Sequence, residues 1–202
     1  MKLLSSTVTF LFGLSAASAV ADDVHLHDFE RAGDAAAWSA ADARNCSAAN
    51  PGKGGSPGGY LELDCKASTL AGVHVSVADL ARDLAGKRGS IALDLVQRGG
   101  ARAGVFELVL RGPRGSWSYA RSWDDALAGA WQTYRLPFDP SWSDGQAILH
   151  GWYANPLSWA ADAEQDGWAA TVRDVRGVSL YFVGAEGPLR VGIDNVEVGA
   201  EP

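Results

Sequence analysis

Apolar and polar residues alternate with a period of two over many short stretches of this chain of 202 residues. That alternation marks strands with one buried face. It covers residues 24–29, 59–65, 72–77, 90–96, 105–111, 116–121, 133–138, 177–183 and 189–198. Turn-forming residues separate these stretches: a Gly/Pro-rich run at 50–59, then Gly99-Gly100, 112–115, Asp139-Pro140 and 184–188. Helical spacing is confined to two short segments, 79–85 before Gly86 and 167–175, where Trp168, Val172 and Val175 share a face. Strand and helix do not alternate as a parallel sheet requires. About nine strands with one or two short helices predict an all-β, antiparallel jelly-roll β-sandwich. No internal repeat or long linker divides the chain.

Composition adds two exclusions and an address. The 24 glycines suit a chain of many tight turns. The net charge is −7 and the basic residues are scattered, so a phosphate-binding footprint is absent from the sequence. An anionic membrane surface is an equally poor partner. Met1-Lys2 followed by an apolar run, with Ala-x-Ala patterns at 17–19 and 19–21, predicts a secretory signal peptide over residues 1–21. Residues 22–202 then form a single domain, secreted or periplasmic, with no membrane insertion. In an oxidising compartment the two cysteines, Cys46 and Cys65, read as a disulfide.

Several short motifs occur in a telling order. They are Asp28-Phe29-Glu30 with Trp38 after it, Gly58-Gly59-Tyr60-Leu61-Glu62-Leu63, the strand 89–95, Trp131-Gln132-Thr133-Tyr134-Arg135-Leu136-Pro137-Phe138, and Val191-Gly192-Ile193-Asp194-Asn195-Val196-Glu197-Val198. This order resembles the galactose-binding-like β-sandwich of many non-catalytic carbohydrate-binding modules. The run 171–182 is also similar to laminin B (domain IV) sandwiches. The resemblance implies a structural Ca²⁺ between the first and last strands. Its ligands would be Glu30 and Asp194, the Asp28 carbonyl and carbonyls of the 52–54 loop, a set of hard oxygens that suits the ion.

Seven of the eight tryptophans fall between positions 117 and 168. Trp131 and Trp168 sit in core-like patterns. Trp123, Trp142, Trp152 and Trp159 stand beside Ser, Gly or Asp, which predicts exposed loop positions. Aromatic faces stack on sugar rings, so these four, with Tyr153, are the expected ligand-binding residues.

Catalytic patterns are weak by comparison. Residues 54–58 spell G-x-S-x-G, but Pro57 follows the serine and has no N–H for an oxyanion hole. Glu62 and Asp64 share a strand face, as the polar side of a sheet also requires. The Gln-x-His strand of jelly-roll lyases is missing: Gln146 and His150 have the wrong spacing, and His74 and His150 stand isolated. The sequence thus predicts a secreted, non-catalytic module that recognises a polysaccharide or an extracellular protein through Trp-rich loops. The alternative is a small secreted polysaccharide-active enzyme, a hydrolase or lyase, on the same scaffold.

Overall fold

Alternation becomes a sheet only when neighbouring strands take up the backbone hydrogen bonds, and among the described residues every strand pairing is antiparallel. The computed structural model describes residues 24–31, 33–56, 58–66, 71–76, 88–123, 129–155 and 166–200. The expected signal peptide, the expected helix at 79–85 and Trp159 lie outside the described residues. Among the described residues there are twelve strands: β1 (Val24–His27), β2 (Trp38–Ala40), β3 (Cys46–Ala49), β4 (Leu61–Cys65), β5 (Ala71–Ser76), β6 (Gly89–Gly100), β7 (Val105–Arg111), β8 (Ser116–Ser122), β9 (Gln132–Phe138), β10 (Trp152–Ala154), β11 (Gly177–Val183) and β12 (Leu189–Ala200). Beyond the expected nine are β2, β3 and β10, which are only three or four residues long. Such short strands carry too few positions for a period to show.

The strands form two six-stranded sheets packed face to face. The first has the order β3-β4-β12-β6-β9, with β1 also paired to β12. The second has the order β10-β8-β7-β11-β5-β2. Leu61, Leu63, Leu93, Leu95 and Ile193 from the first sheet meet Val73, Phe106, Leu108, Val178 and Leu180 from the second in one buried cluster. Phe106 and Tyr134 touch edge to face across the two sheets at 4.7 Å.

Among the described residues two α-helices join the strands, α1 (Asp144–Leu149) and α2 (Trp168–Arg173). The sequence pattern places α2 correctly and misses α1. A capping box starts α1: Ser143 Oγ accepts from the Gln146 N–H at 3.3 Å, and Gln146 Oε1 accepts from the Ser143 N–H at 2.8 Å. The Trp168 side chain on α2 is fully buried and lies within 6.0 Å of Trp117, Phe138, Trp142 and Trp152, centroid to centroid. This aromatic cluster sits between the two sheets and the helices.

Cys46 and Cys65 stand opposite each other on β3 and β4 and are joined by a disulfide. Closing a loop of this size stabilises by roughly 3 kcal/mol in the chain-entropy account. No helix among the described residues is long and apolar enough to cross a membrane.

Candidate functional site

Strand alternation leaves one face of the second sheet pointing away from the core, and register arranges its side chains in rows. One row crosses all six strands: Ser39, His74, Ser179, Val109, Ser118 and Tyr153. With strands about 4.8 Å apart, it spans roughly 24 Å. A second row holds Gly72, Tyr181, Glu107 and Ala120. A third holds Gly177, Arg111 and Ser116. Ser179, Val109, Ser118 and Ser116 are buried in these rows, and the accessible groups are Ser39, His74, Tyr181, Glu107, Arg111 and Tyr153.

Two hydrogen-bonded groups fix these side chains. In one, Arg111 donates from Nε to Ser179 Oγ at 2.9 Å and from Nη2 to the Tyr181 hydroxyl at 2.5 Å. His74 Nδ1 lies 3.1 Å from the same Ser179 Oγ. Burial, helped by the Arg111 charge, pushes the His74 pKa below its ordinary value, so its neutral ring is favoured. In the other group, Tyr153 donates to Glu107 Oε1 at 2.7 Å and Asn155 donates to Ser118 Oγ at 2.9 Å. Burial, then the Glu107 carboxylate, push the Tyr153 hydroxyl up to about 12, so it remains a donor. Its ring is 38% exposed.

Glycines set the tilt of two rings. A Cβ at Gly72 would stand 2.5 Å from Tyr181 Cδ1, and one at Gly177 would stand 2.7 Å from His74 Cε1. Each ring thus lies over the neighbouring backbone in space that a side chain would otherwise fill. Between them is a cleft of about 500 Å³ lined by Ser39, His74, Arg111, Arg176, Gly177 and Tyr181, among others. A cleft with an aromatic wall and convergent polar groups is the usual form of a small-ligand site.

The outer face of the first sheet carries a different feature. Asp194 on β12 stands opposite Asp94 on β6, and like charges in that position repel. The 50–59 loop covers them. Ser56 donates its N–H to Asp194 Oδ2 at 2.6 Å, and Asn195 donates its own N–H to Oδ1 at 2.9 Å. The Asn195 side chain, on a residue with φ +47°, donates to Ser56 O and to Asp94 Oδ2. Trp131 and Arg98 both donate to Gly54 O, and the Arg98 guanidinium stacks on the Tyr60 and Trp131 rings. Burial pushes the Asp194 carboxyl up to about 6 against those backbone donors, with the nearby Asp94 and Glu30 charges adding to the rise.

The donor set there suits a hard cation better than a transition metal. A cavity of about 310 Å³ is lined by Phe29, Glu30, Asn50, Gly52, Gly58 and Gly59. The Glu30 carboxylate packs directly over Gly58, where a Cβ would meet Oε1 at 2.0 Å. Asp28 is exposed, and its Oδ1 accepts from the Glu30 N–H at 3.1 Å. Among the described residues no three His, Cys, Asp or Glu side chains form a metal-binding group. A Ca²⁺ here would therefore draw on backbone and amide oxygens beside Glu30 and Asp194, as that ion readily does.

Two of the four expected loop tryptophans, Trp152 and Trp123, are buried instead of exposed. Trp152 is 1% exposed, because β10 pairs with β8 in a register that turns Trp152 inward and Tyr153 outward. Its Nε1 donates to Pro137 O at 2.8 Å. Trp123 is also buried, packed on Phe182 at 5.0 Å just past the end of β8. Trp142 is half-buried and stacks on His150 at 4.1 Å. Conversely Trp131, expected in the core, is half-exposed on the loop-covered face of the first sheet. Of the expected ligand residues among those described, Tyr153 reaches the polar face. The sequence reading missed Arg111, Ser179, Tyr181 and Glu107 and set His74 aside; all occupy the outward positions of alternating strands. Glu62 and Asp64 are tied up structurally, Glu62 by the Tyr60 hydroxyl at 2.8 Å and Asp64 by Arg190 at 2.9 Å.

No family model matches the sequence, and no curated protein matches it. Solved structures do. A family 11 carbohydrate-binding module from Clostridium thermocellum, in complex with a β-1,3-1,4-mixed-linked tetrasaccharide, is similar with a TM-score of 0.58 at 16% identity, over 88% of this chain and 96% of that one. An exo-β-agarase is similar at the same TM-score and 18% identity, over 89% of this chain but 26% of the enzyme. A β-1,2-glucanase from Parabacteroides distasonis aligns at 0.51 and 13% identity, over 82% of this chain and 22% of that one. The likeness covers a whole binding module in the first case and about a quarter of the enzyme in the others. The fold is that of a carbohydrate-binding-module β-sandwich.

Proposed function

We propose that this protein is a secreted, non-catalytic module that binds a glycan along the outer face of its second sheet. The observation that carries this is the set of accessible side chains on that face, Ser39, His74, Arg111, Tyr181, Glu107 and Tyr153, held in place by hydrogen bonds to one another and to the buried Ser179 beneath them. Rings supply apolar contact for the faces of sugars, and fixed polar groups choose among their hydroxyls. Structural likeness to a module seen with a tetrasaccharide supports the reading. The Trp-rich loops yield this role to the sheet face, because Trp123 and Trp152 are packed inside.

Secretion follows from the expected signal peptide and agrees with the disulfide. A structural Ca²⁺ held by Glu30 and Asp194 with neighbouring carbonyls belongs to the same proposal. The bound ion would supply positive charge to a buried carboxylate that otherwise sits among like charges.

Affinity electrophoresis through gels containing mixed-linked β-glucan, agarose or other soluble polysaccharides tests the binding role. Retardation by at least one polysaccharide, reduced about tenfold in affinity by Tyr153→Ala or Tyr181→Ala, is expected; tenfold corresponds to about 1.4 kcal/mol. Migration unaffected by every polysaccharide would refute the reading. Release of new reducing ends or unsaturated products by the purified protein would establish the enzymatic alternative instead.

A further inference from the structure

Arg111 lines the cleft, half-buried on β7. Its hydrogen bonds go only to the neutral hydroxyls of Ser179 and Tyr181. Among the described residues no carboxylate pairs with it, whereas Arg114, Arg176 and Arg190 each hold one, on Asp166, Asp174 and Asp64. A guanidinium carries five N–H donors, and the two bonds leave three without an acceptor among the described residues. Partial burial makes an unpaired cation expensive in solvation and raises the worth of any anion that reaches it. The fork shape of the group favours planar or tetrahedral oxyanions over single hydroxyls.

Charge is also laid out along the face. Arg176 lines the same cleft with its charge balanced by Asp174, so the positive charge there is that of Arg111. Glu107 lies four residues away on β7, roughly 13 Å at about 3.3 Å per residue, and is engaged by Tyr153. The face is therefore cationic at the Arg111 end and anionic at the Glu107 end, on a protein of net charge −7.

We infer that the Arg111 end of the cleft is a subsite for a sugar unit bearing an oxyanion, either a uronic acid carboxylate or a sulfate ester. This rests on the glycan-binding reading above and deepens it, since it assigns a charge preference and a direction. The anionic unit lies over Arg111 and the neutral remainder of the chain runs toward Tyr153.

Isothermal titration with three forms of one oligosaccharide tests the inference. The probes are the mixed-linked β-glucan tetrasaccharide, the same compound oxidised to uronic acids at C6, and the same compound sulfated at C6. At least one charged form should bind ten or more times tighter than the neutral form. That ratio should shrink several-fold between 50 and 500 mM NaCl, a comparison that needs no variant, and should approach one in Arg111→Gln. Whichever charged form shows the larger ratio identifies the oxyanion. Neutral binding as tight as both charged forms, or a preference that survives Arg111→Gln in a folded variant, overturns the subsite and leaves the glycan reading standing. Failure of all three probes overturns the subsite, while the glycan reading stands or falls separately on retardation in the polysaccharide gels.

Discussion

Tyr181 lies across Gly72, its cross-strand neighbour, so closely that a Cβ at position 72 would stand 2.5 Å from the ring. The same Cβ would also meet the Leu180 carbonyl oxygen at 2.9 Å. Gly72→Ala therefore lifts the ring from the sheet and disturbs its bond with Arg111. Glycan affinity should fall several-fold, while overpacking costs about 1–3 kcal/mol of stability. Titration calorimetry beside thermal melting checks this; unchanged affinity would mean that the ring's tilt does not matter to binding.

The tryptophans should behave as core residues. Trp152 is buried between Tyr119 and Trp168, with its N–H bonded to Pro137 O. Trp152→Ala should destabilise by about 3–5 kcal/mol, the range for emptying a large buried site. Chemical denaturation measures it, and a loss below about 1 kcal/mol would place Trp152 at the surface after all.

Why the sandwich was legible and the site was not can be seen at Gly151, Trp152 and Tyr153. Period-two alternation over 105–111 or 177–183 is long enough to identify strands and their inner faces, and Phe106, Leu108, Leu180 and Phe182 are indeed inside. The three-residue β10 is too short for that, so Gly151 read as a loop marker and made Trp152 look exposed. In the structure Gly151 turns the chain at φ +95° directly into a strand. The Arg111–Ser179–His74 cluster was hidden for another reason. Its members lie on three strands whose adjacency depends on register between residues 68 and 105 positions apart, and local patterning carries no such information. The α1 cap was readable, since Ser143 and Gln146 have the capping-box spacing. The Cys46–Cys65 pair was readable because two cysteines allow one internal bridge.

Calcium should raise the melting temperature. A cation bound only by the native state stabilises by about 2.7 kcal/mol at a hundredfold excess over Kd. For a chain of this size that is roughly 5–10 °C in Tm. Chelation should reverse the gain, and Asp194→Asn should lose most of the response. A Tm that ignores both added calcium and chelator, in protein free of bound metal, excludes the ion.

Acidification should weaken the fold through His74. Its folded pKa lies below 6.5, chiefly through burial and then through Arg111. Below pH 6.5 the unfolded chain therefore binds more protons at this residue than the native state does. The stability it contributes is complete above that pH and is lost as pH falls through 6.5 toward the folded value. Between pH 7.5 and 5.5 the raised Asp194 carboxyl, at about 6, works the other way and stabilises on acidification. The His74 loss is therefore read as the difference in denaturant-midpoint slope between the native protein and His74→Gln. An identical slope in both proteins would assign the effect to other groups.

The central claim is that glycan binds on the outer face of the second sheet. Backbone-amide NMR, recorded while titrating the glycan that the gels retain most strongly, addresses it directly. Shifts should concentrate at Ser39, His74, Arg111, Ser118, Tyr153, Ser179 and Tyr181, with the 50–59 loop and α1 little changed. Shifts centred instead on Trp142 and α1, or on the loop over Asp194, would contradict the account.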